Sequence, residues 1–288
     1  MIKRILSILF VFMCSHMYAQ QYSFVQYNVR NGLAQSQVRC MIQDSRGYIW
    51  AGTLGGVSRF DGRHFENFDR QDGLPSNQVN CLFELPDGSI AAGGNGGVAL
   101  ISPFGISTLS LGDAWRDASV NCIHGTDSKN LMIGTENGVF SVKDGTITGP
   151  FAPQEDGADV VRSFITRGQE LLVVTRAGIY KMNQLQFQPY YIPPPEITLF
   201  DAVESGDTLW MGTRDLGLLY YHQGRIRAYG PAEGLPSTSI TRITRGNTGH
   251  LWLCSRFGFY KTDGQTFTVF DEKNGLPTPD VRDIIQDR

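Results

Sequence analysis

The sequence has no run of basic residues: 25 Lys and Arg stand against 28 Asp and Glu, a net charge of -3. Nucleic-acid recognition rests on clustered Lys and Arg that neutralise phosphates, so no nucleic-acid partner is expected. Beyond residue 20 no stretch approaches the roughly 20 apolar residues of a membrane-spanning helix, so no later membrane insertion is expected. Enzyme signatures are missing as well. There is no G-x-S-x-G, no H-E-x-x-H, no G-x-x-x-x-G-K-[ST] phosphate loop and no G-x-G-x-x-G opening a helix. Histidine is scarce, and His64, His124, His222 and His250 share no ligand spacing, so neither a metal nor a cofactor is expected. A pair of acids for hydrolysis would leave no linear motif, and the sequence does not test for one.

Glycine, in contrast, is abundant: 33 of 288 residues, against roughly 7% in average usage. With 41% hydrophobic residues the chain is not disordered. Its first twenty residues read as a secretory signal peptide, with Lys3 and Arg4 ahead of an apolar run at 5–13 and Met17-Tyr18-Ala19 as the exit. Cleavage near Ala19 or Gln20 would send residues 21–288 to the periplasm or beyond it. Cys14 raises a lipoprotein alternative, which Val11-Phe12-Met13 before it disfavours.

Self-comparison shows a repeat. Segments opening at Val38, Val79, Val120, Val161, Leu199, Ile240 and Val281 align, 41 residues apart except for 38 between Val161 and Leu199. Each of the first six is followed by a second conserved-pattern element: IWAGTLGGV, IAAGGNGGV, LMIGTENGV, LLVVTRAGI, LWMGTRDLGL and LWLCSRFGF. Every unit divides into short β-branched and aromatic runs separated by turn signals, in the first unit at 38–43, 48–53, 57–60 and 64–68. Four strands in a period near 41 predict an all-β chain, a β-propeller of four-stranded antiparallel blades. Six blades are complete, and residues 281–288 supply only the first strand of an incomplete seventh. Residues 24–27 read as an outer strand without a blade of its own. The innermost strands are apolar on both faces, as a strand packed between two blades should be. Gly52, Gly93, Gly134 and Gly212 fall where neighbouring backbones would approach closely.

Asn31-Gly32-Leu33, Val38, Asp44-Ser45-Arg46-Gly47-Tyr48-Ile49-Trp50-Ala51-Gly52-Thr53 and Gly56-Val57-Ser58-Arg59-Phe60-Asp61-Gly62 together resemble the two-component regulator propeller repeat. Gly-Leu-Pro returns at residues 73–75, 234–236 and 275–277, and the third and fourth units lack it. The resemblance covers nearly all of residues 27–288. It implies the periplasmic sensor region of a hybrid two-component regulator, in which a second propeller, a further β-domain, a membrane helix and a histidine kinase follow. It also implies carbohydrate as the signal, sensed directly or with this propeller as scaffold, and a homodimer or downstream domains as partners. The sequence stops inside the first turn of the seventh unit, so it is expected to be a gene fragment or one part of a split sensor.

In a meander blade the loop entering the inner strand and the loop between the second and third strands emerge on one face, around the channel mouth. Those loops carry Arg39, Asn77, Asn137, Arg176, Arg214, Asp215, Arg256 and Phe257, our candidate contacts for an oligosaccharide or a similarly hydroxylated or anionic ligand. Cys40, Cys81 and Cys122 share one repeat position with Ser163, Asp201, Arg242 and Asp283. The cysteines are expected to be buried free thiols in a slot for small residues. Arg242 is expected to satisfy Asp201 and Asp283. Asp44 to Trp50 is similar to the aspartate box of sialidase propellers, a structural turn. The expected function is non-catalytic sensing. The alternatives are a propeller lyase or glycosidase acting on glycans, or a protein-interaction platform.

Overall fold

The computed structural model describes residues 22–109 and 118–287. The signal-peptide segment, Cys14 included, lies outside them. Six four-stranded antiparallel sheets follow one another, each ordered as its strands occur in sequence. Blade 1 consists of Val38–Gln43, Ile49–Thr53, Gly56–Phe60 and Phe65–Phe68, within a residue of the strands expected. The inner strands of blades 2 to 6 are Val79–Glu84, Val120–Asp127, Val161–Arg167, Leu199–Ser205 and Arg242–Arg245. Each inner strand packs on the next, so the blades form a ring around a central channel.

The turns explain why the units repeat. In blade 1 the Asp44 carboxylate is fully buried and accepts hydrogen bonds from Trp50 Nε1 at 2.9 Å, Tyr48 N at 2.9 Å and Arg46 N at 3.0 Å. One side chain thus ties the first turn to the start of the second strand. The hairpin between the second and third strands is tied by a hydroxyl. Thr53, Thr135, Thr175, Thr213 and Ser255 each donate from Oγ to the carbonyl of Gly56, Gly138, Gly178, Gly217 and Gly258 respectively. The glycine of that pair has no room for a side chain. At Gly56, φ is +122°, and a Cβ would lie 2.2 Å from the Phe68 carbonyl oxygen.

The hydrophobic core sits between blades. Trp50, Val57, Val79, Leu82 and Ile90 form one cluster across blades 1 and 2. Ile165, Leu172, Leu199, Leu209 and Met211 form another across blades 4 and 5. Each such side chain fully removed from water contributes about 1.5–3 kcal/mol. Close approach is built in at the expected glycines. A Cβ at Gly52 would sit 2.5 Å from Cys40 Sγ and 2.9 Å from Val79 in the next blade, and one at Gly212 would sit 2.5 Å from the Ile240 carbonyl oxygen.

The junction between blades 6 and 1 is different. Residues 281–287 lie there, but in contrast to the first strand expected of them they form no strand, and among the described residues none pairs with them in a ladder. Residues 22–28 likewise form no strand, in contrast to the outer strand expected of 24–27. Both segments still bridge the gap. On the inside, Val281 N donates to Ser255 O of blade 6 at 3.0 Å, and Asp283 Oδ2 accepts from Met41 N of blade 1 at 2.8 Å. On the outside, the Tyr22 ring packs on Phe270 of blade 6 and Tyr27 on Phe60 of blade 1, with centroids 4.8 and 5.1 Å apart.

Candidate ligand-binding site

The site begins with an irregularity in the ladder. Val38 pairs with Thr53 and Cys40 with Gly52, so Arg39 has no partner across the strand. The same bulge skips Asn80, Asn121, Arg162 and Phe200 in blades 2 to 5. In blade 6, Thr241 N bonds to Cys254 O while Arg242 pairs with Cys254. A bulge re-aims the side chain of its unpaired residue. Here the bulged residues, with Arg282 from the seventh position, line a cavity of 210 Å³ in the channel.

The entry loops and the second-to-third-strand turns share the face at which this cavity opens. In blade 5, Arg214 N donates to Thr198 O and Gly217 N to Thr238 O, linking this turn to the entry segments of its own and the next blade. The candidate residues are placed on that face but do not form one cluster. Arg39 Nη1 donates to Asn80 Oδ1 at 2.6 Å, joining two neighbouring bulges. Asn77 Oδ1 accepts from Arg70 N at 2.9 Å and so holds its own loop. Asn137, Asp215, Arg256 and Phe257 are exposed at turn tips, Phe257 at 69%. Arg176 and Arg214 flank Arg162, a residue that loop-based reasoning missed because it sits in a strand. The Arg162 and Arg214 guanidiniums lie 5.7 and 5.8 Å from the centroid of the same ring, Phe200. Burial, together with the like charges of Arg176 and Arg214, holds Arg162 below the usual arginine range. The available signal was the second position of each inner strand, which is polar in every unit except at Phe200.

Deeper in the channel the charges are satisfied, as expected. Arg242 Nε lies 3.4 Å from Asp283 Oδ1 and 3.8 Å from Asp201 Oδ2. The two acids play one role. Asp201 Oδ2 accepts from Ile243 N of the next blade at 3.0 Å, just as Asp283 accepts from Met41 N. Burial pushes the Asp283 carboxyl up, and the Arg242 charge pulls it back in part. Asp201 and Asp283 are therefore both engaged as cross-blade ties, although Asp283 also borders the channel cavity. Cys40, Cys81, Cys122 and Cys254 are buried free thiols, and burial pushes each of them well above the usual thiol range. Among the described residues no group of three or more His, Cys, Asp and Glu is arranged to hold a metal ion, and no helix is long and apolar enough to cross a membrane.

A six-bladed ring whose bulged inner-strand residues line a polar channel mouth defines the class: a six-bladed β-propeller. Residues 32–55 match the family described as two component regulator propeller. No curated protein matches the sequence. Among solved structures the fold is similar to the extracellular domain of BT4673, a hybrid two component system of B. thetaiotaomicron, with 19% identity, 93% of this chain covered and a TM-score of 0.72. The extracellular domain of BT3049 from the same organism is similar at 20% identity over 90% of this chain, TM-score 0.73. This chain spans only 37% of the length of each. A catalytically inactive virginiamycin B lyase from Staphylococcus aureus, with quinupristin, is similar at 14% identity over 88% of this chain and 87% of its own, TM-score 0.69.

Proposed function

We propose that the chain is a non-catalytic, extracellular ligand-sensing propeller of a two-component signalling system, exported by its N-terminal signal peptide, and that its ligand is an oligosaccharide held at the channel mouth. The match of residues 32–55 to the two component regulator propeller family carries this reading. The site adds chemical support. Side-chain amides at Asn80 and Asn121 and guanidiniums at Arg39 and Arg162 ring the cavity, beside the apolar Phe200 face. Directed polar groups beside an aromatic surface suit a hydroxylated ring. The lyase reading is disfavoured because the buried acids are tied between blades and no histidine lines the mouth cavity.

Calorimetric titration of the chain with a panel of oligosaccharides tests the reading. Saturable binding that weakens in N80A and N121A is expected. A folded chain that binds none of them would overturn direct sensing, and turnover of any glycan would overturn the non-catalytic assignment.

A further inference from the structure

Arg162 lines the cavity, and Arg176 and Arg214 lie near enough for their charges to act on it. The other arginines of the channel have partners: Arg242 has Asp201 and Asp283, Arg282 has Asp280 at 2.8 Å, and Arg39 donates to the Asn80 amide oxygen at 2.6 Å. Among the described residues, Arg162, Arg176 and Arg214 have no carboxylate within ion-pair distance. The charge of Glu136 reaches Arg162 only through space. Arg162 also keeps its Nε buried with no hydrogen-bond partner. A buried donor left unpaired costs about 1–3 kcal/mol, more when charged, so a fold that keeps one needs a reason.

Geometry gives the reason. Arg162 and Arg214 both lie over Phe200, whose ring limits where their planar forks can go. Arg176 is held from the other side, since Gly157, at φ +76°, leaves no Cβ within reach of its guanidinium; one built there would lie 2.8 Å from Nε. The cavity that Arg162 lines, at 210 Å³, has room for an oxyanion and several waters at ~30 Å³ each. Arginine forks match the paired oxygens of a carboxylate or sulfate better than any other side chain.

We propose that the channel mouth beside Phe200 is an oxyanion-binding site, in which Arg162, Arg176 and Arg214 hold a carboxylate or sulfate group. As a property of the saccharide ligand, this deepens the sensing reading above and rests on it. The site then selects acidic over neutral sugars, because a neutral ring would leave the three charges uncompensated.

Calorimetry with inorganic sulfate, at ionic strength matched with chloride, tests the site without any saccharide. Saturable binding is expected for the natural chain. R162Q and R214Q should each weaken it about tenfold, the loss expected for one charged hydrogen bond. K143Q, at the end of a third strand on the opposite face, should leave it unchanged. Sulfate should also raise the melting temperature of the natural chain more than chloride does. Arg214 is exposed, so R214Q keeps the test open if R162Q fails to fold. No saturable sulfate binding, or equal affinity in R214Q, overturns the proposal. A uronate disaccharide and its neutral counterpart separate the two readings. Sulfate binding without any saccharide binding keeps the oxyanion site and removes carbohydrate sensing. Neutral and acidic disaccharides bound equally, with R214Q as good as the natural chain, keeps sensing and removes the oxyanion site.

Discussion

Asp44 shows how much one side chain can fix. Burial alone would push its carboxyl up, but hydrogen bonds from Trp50 and Tyr48 and the nearby Arg46 charge outweigh that and hold it below the usual carboxylate range. Its contribution to stability is therefore full above the unfolded value near ~3.9 and is lost as pH falls through the lower folded value. Replacing Asp44 by Asn removes the charge from two backbone bonds and one indole bond. Thermal melts from pH 3 to 7 should show D44N less stable by about 2 kcal/mol at neutral pH, with the gap closing toward pH 3. A gap independent of pH would mean that Asp44 acts by shape alone. The thiols make a second residue-scale case. Because burial raises Cys40, Cys81, Cys122 and Cys254, almost no thiolate is present at neutral pH. A thiol reagent should label none of the four in the native chain and all four after unfolding, and native labelling of any would contradict the burial found here.

At the scale of the blade, the hydroxyl tie in the hairpin is what the repeat preserves. Thr213 donates to Gly217 O and accepts from Leu216 N, both near 3 Å. T213V keeps the shape and removes both bonds, and denaturant unfolding should show a loss of about 1–2 kcal/mol. G212A should cost more, about 2–3 kcal/mol, because its Cβ would meet a backbone carbonyl of the next blade that side-chain motion cannot relieve. These elements were legible in the sequence because each rests on residue types with one local job: a hydroxyl three or four residues before a glycine, or a glycine where no Cβ fits. The mouth was less legible. Loop reasoning found Arg176 and Arg214 but passed over Arg162, since a strand residue between Val161 and Ser163 reads as part of a regular ladder. The bulge turns it into the channel, and a bulge repeated in every blade leaves the alignment of the repeats undisturbed. Asn77 is a different case. It lies in the right loop, yet its side chain is used to hold that loop.

The whole ring depends on how blade 6 meets blade 1, where no pair of complete blades packs face to face. The load there falls on Asp283, which binds Met41 N of blade 1 and faces Arg242 of blade 6. Arg242 in turn faces Asp201 of blade 5, so three successive ring positions share one cation and two carboxylates. Removing the cation leaves two acids 4% and 9% exposed with no counter-charge. R242L should therefore destabilise the chain at neutral pH by about 3 kcal/mol, the low end for a buried pair because Arg242 itself reaches channel water. The pH dependence separates this from a simple packing defect. Without Arg242 only the hydrogen bonds from Met41 N and Ile284 N work against the burial that raises Asp283, so the folded state binds a proton that the unfolded chain releases. Stability of R242L must then rise as pH falls from 7 toward 5, whereas a cavity or a lost contact would not respond. Melting temperatures at pH 7, 6 and 5 for the natural chain, R242L and R242L/D283N decide it. The single variant should recover as acid is added, and the double variant should stand above it at pH 7 with little further gain. Parallel profiles for all three would show that the junction is held by packing and that its charges are bystanders.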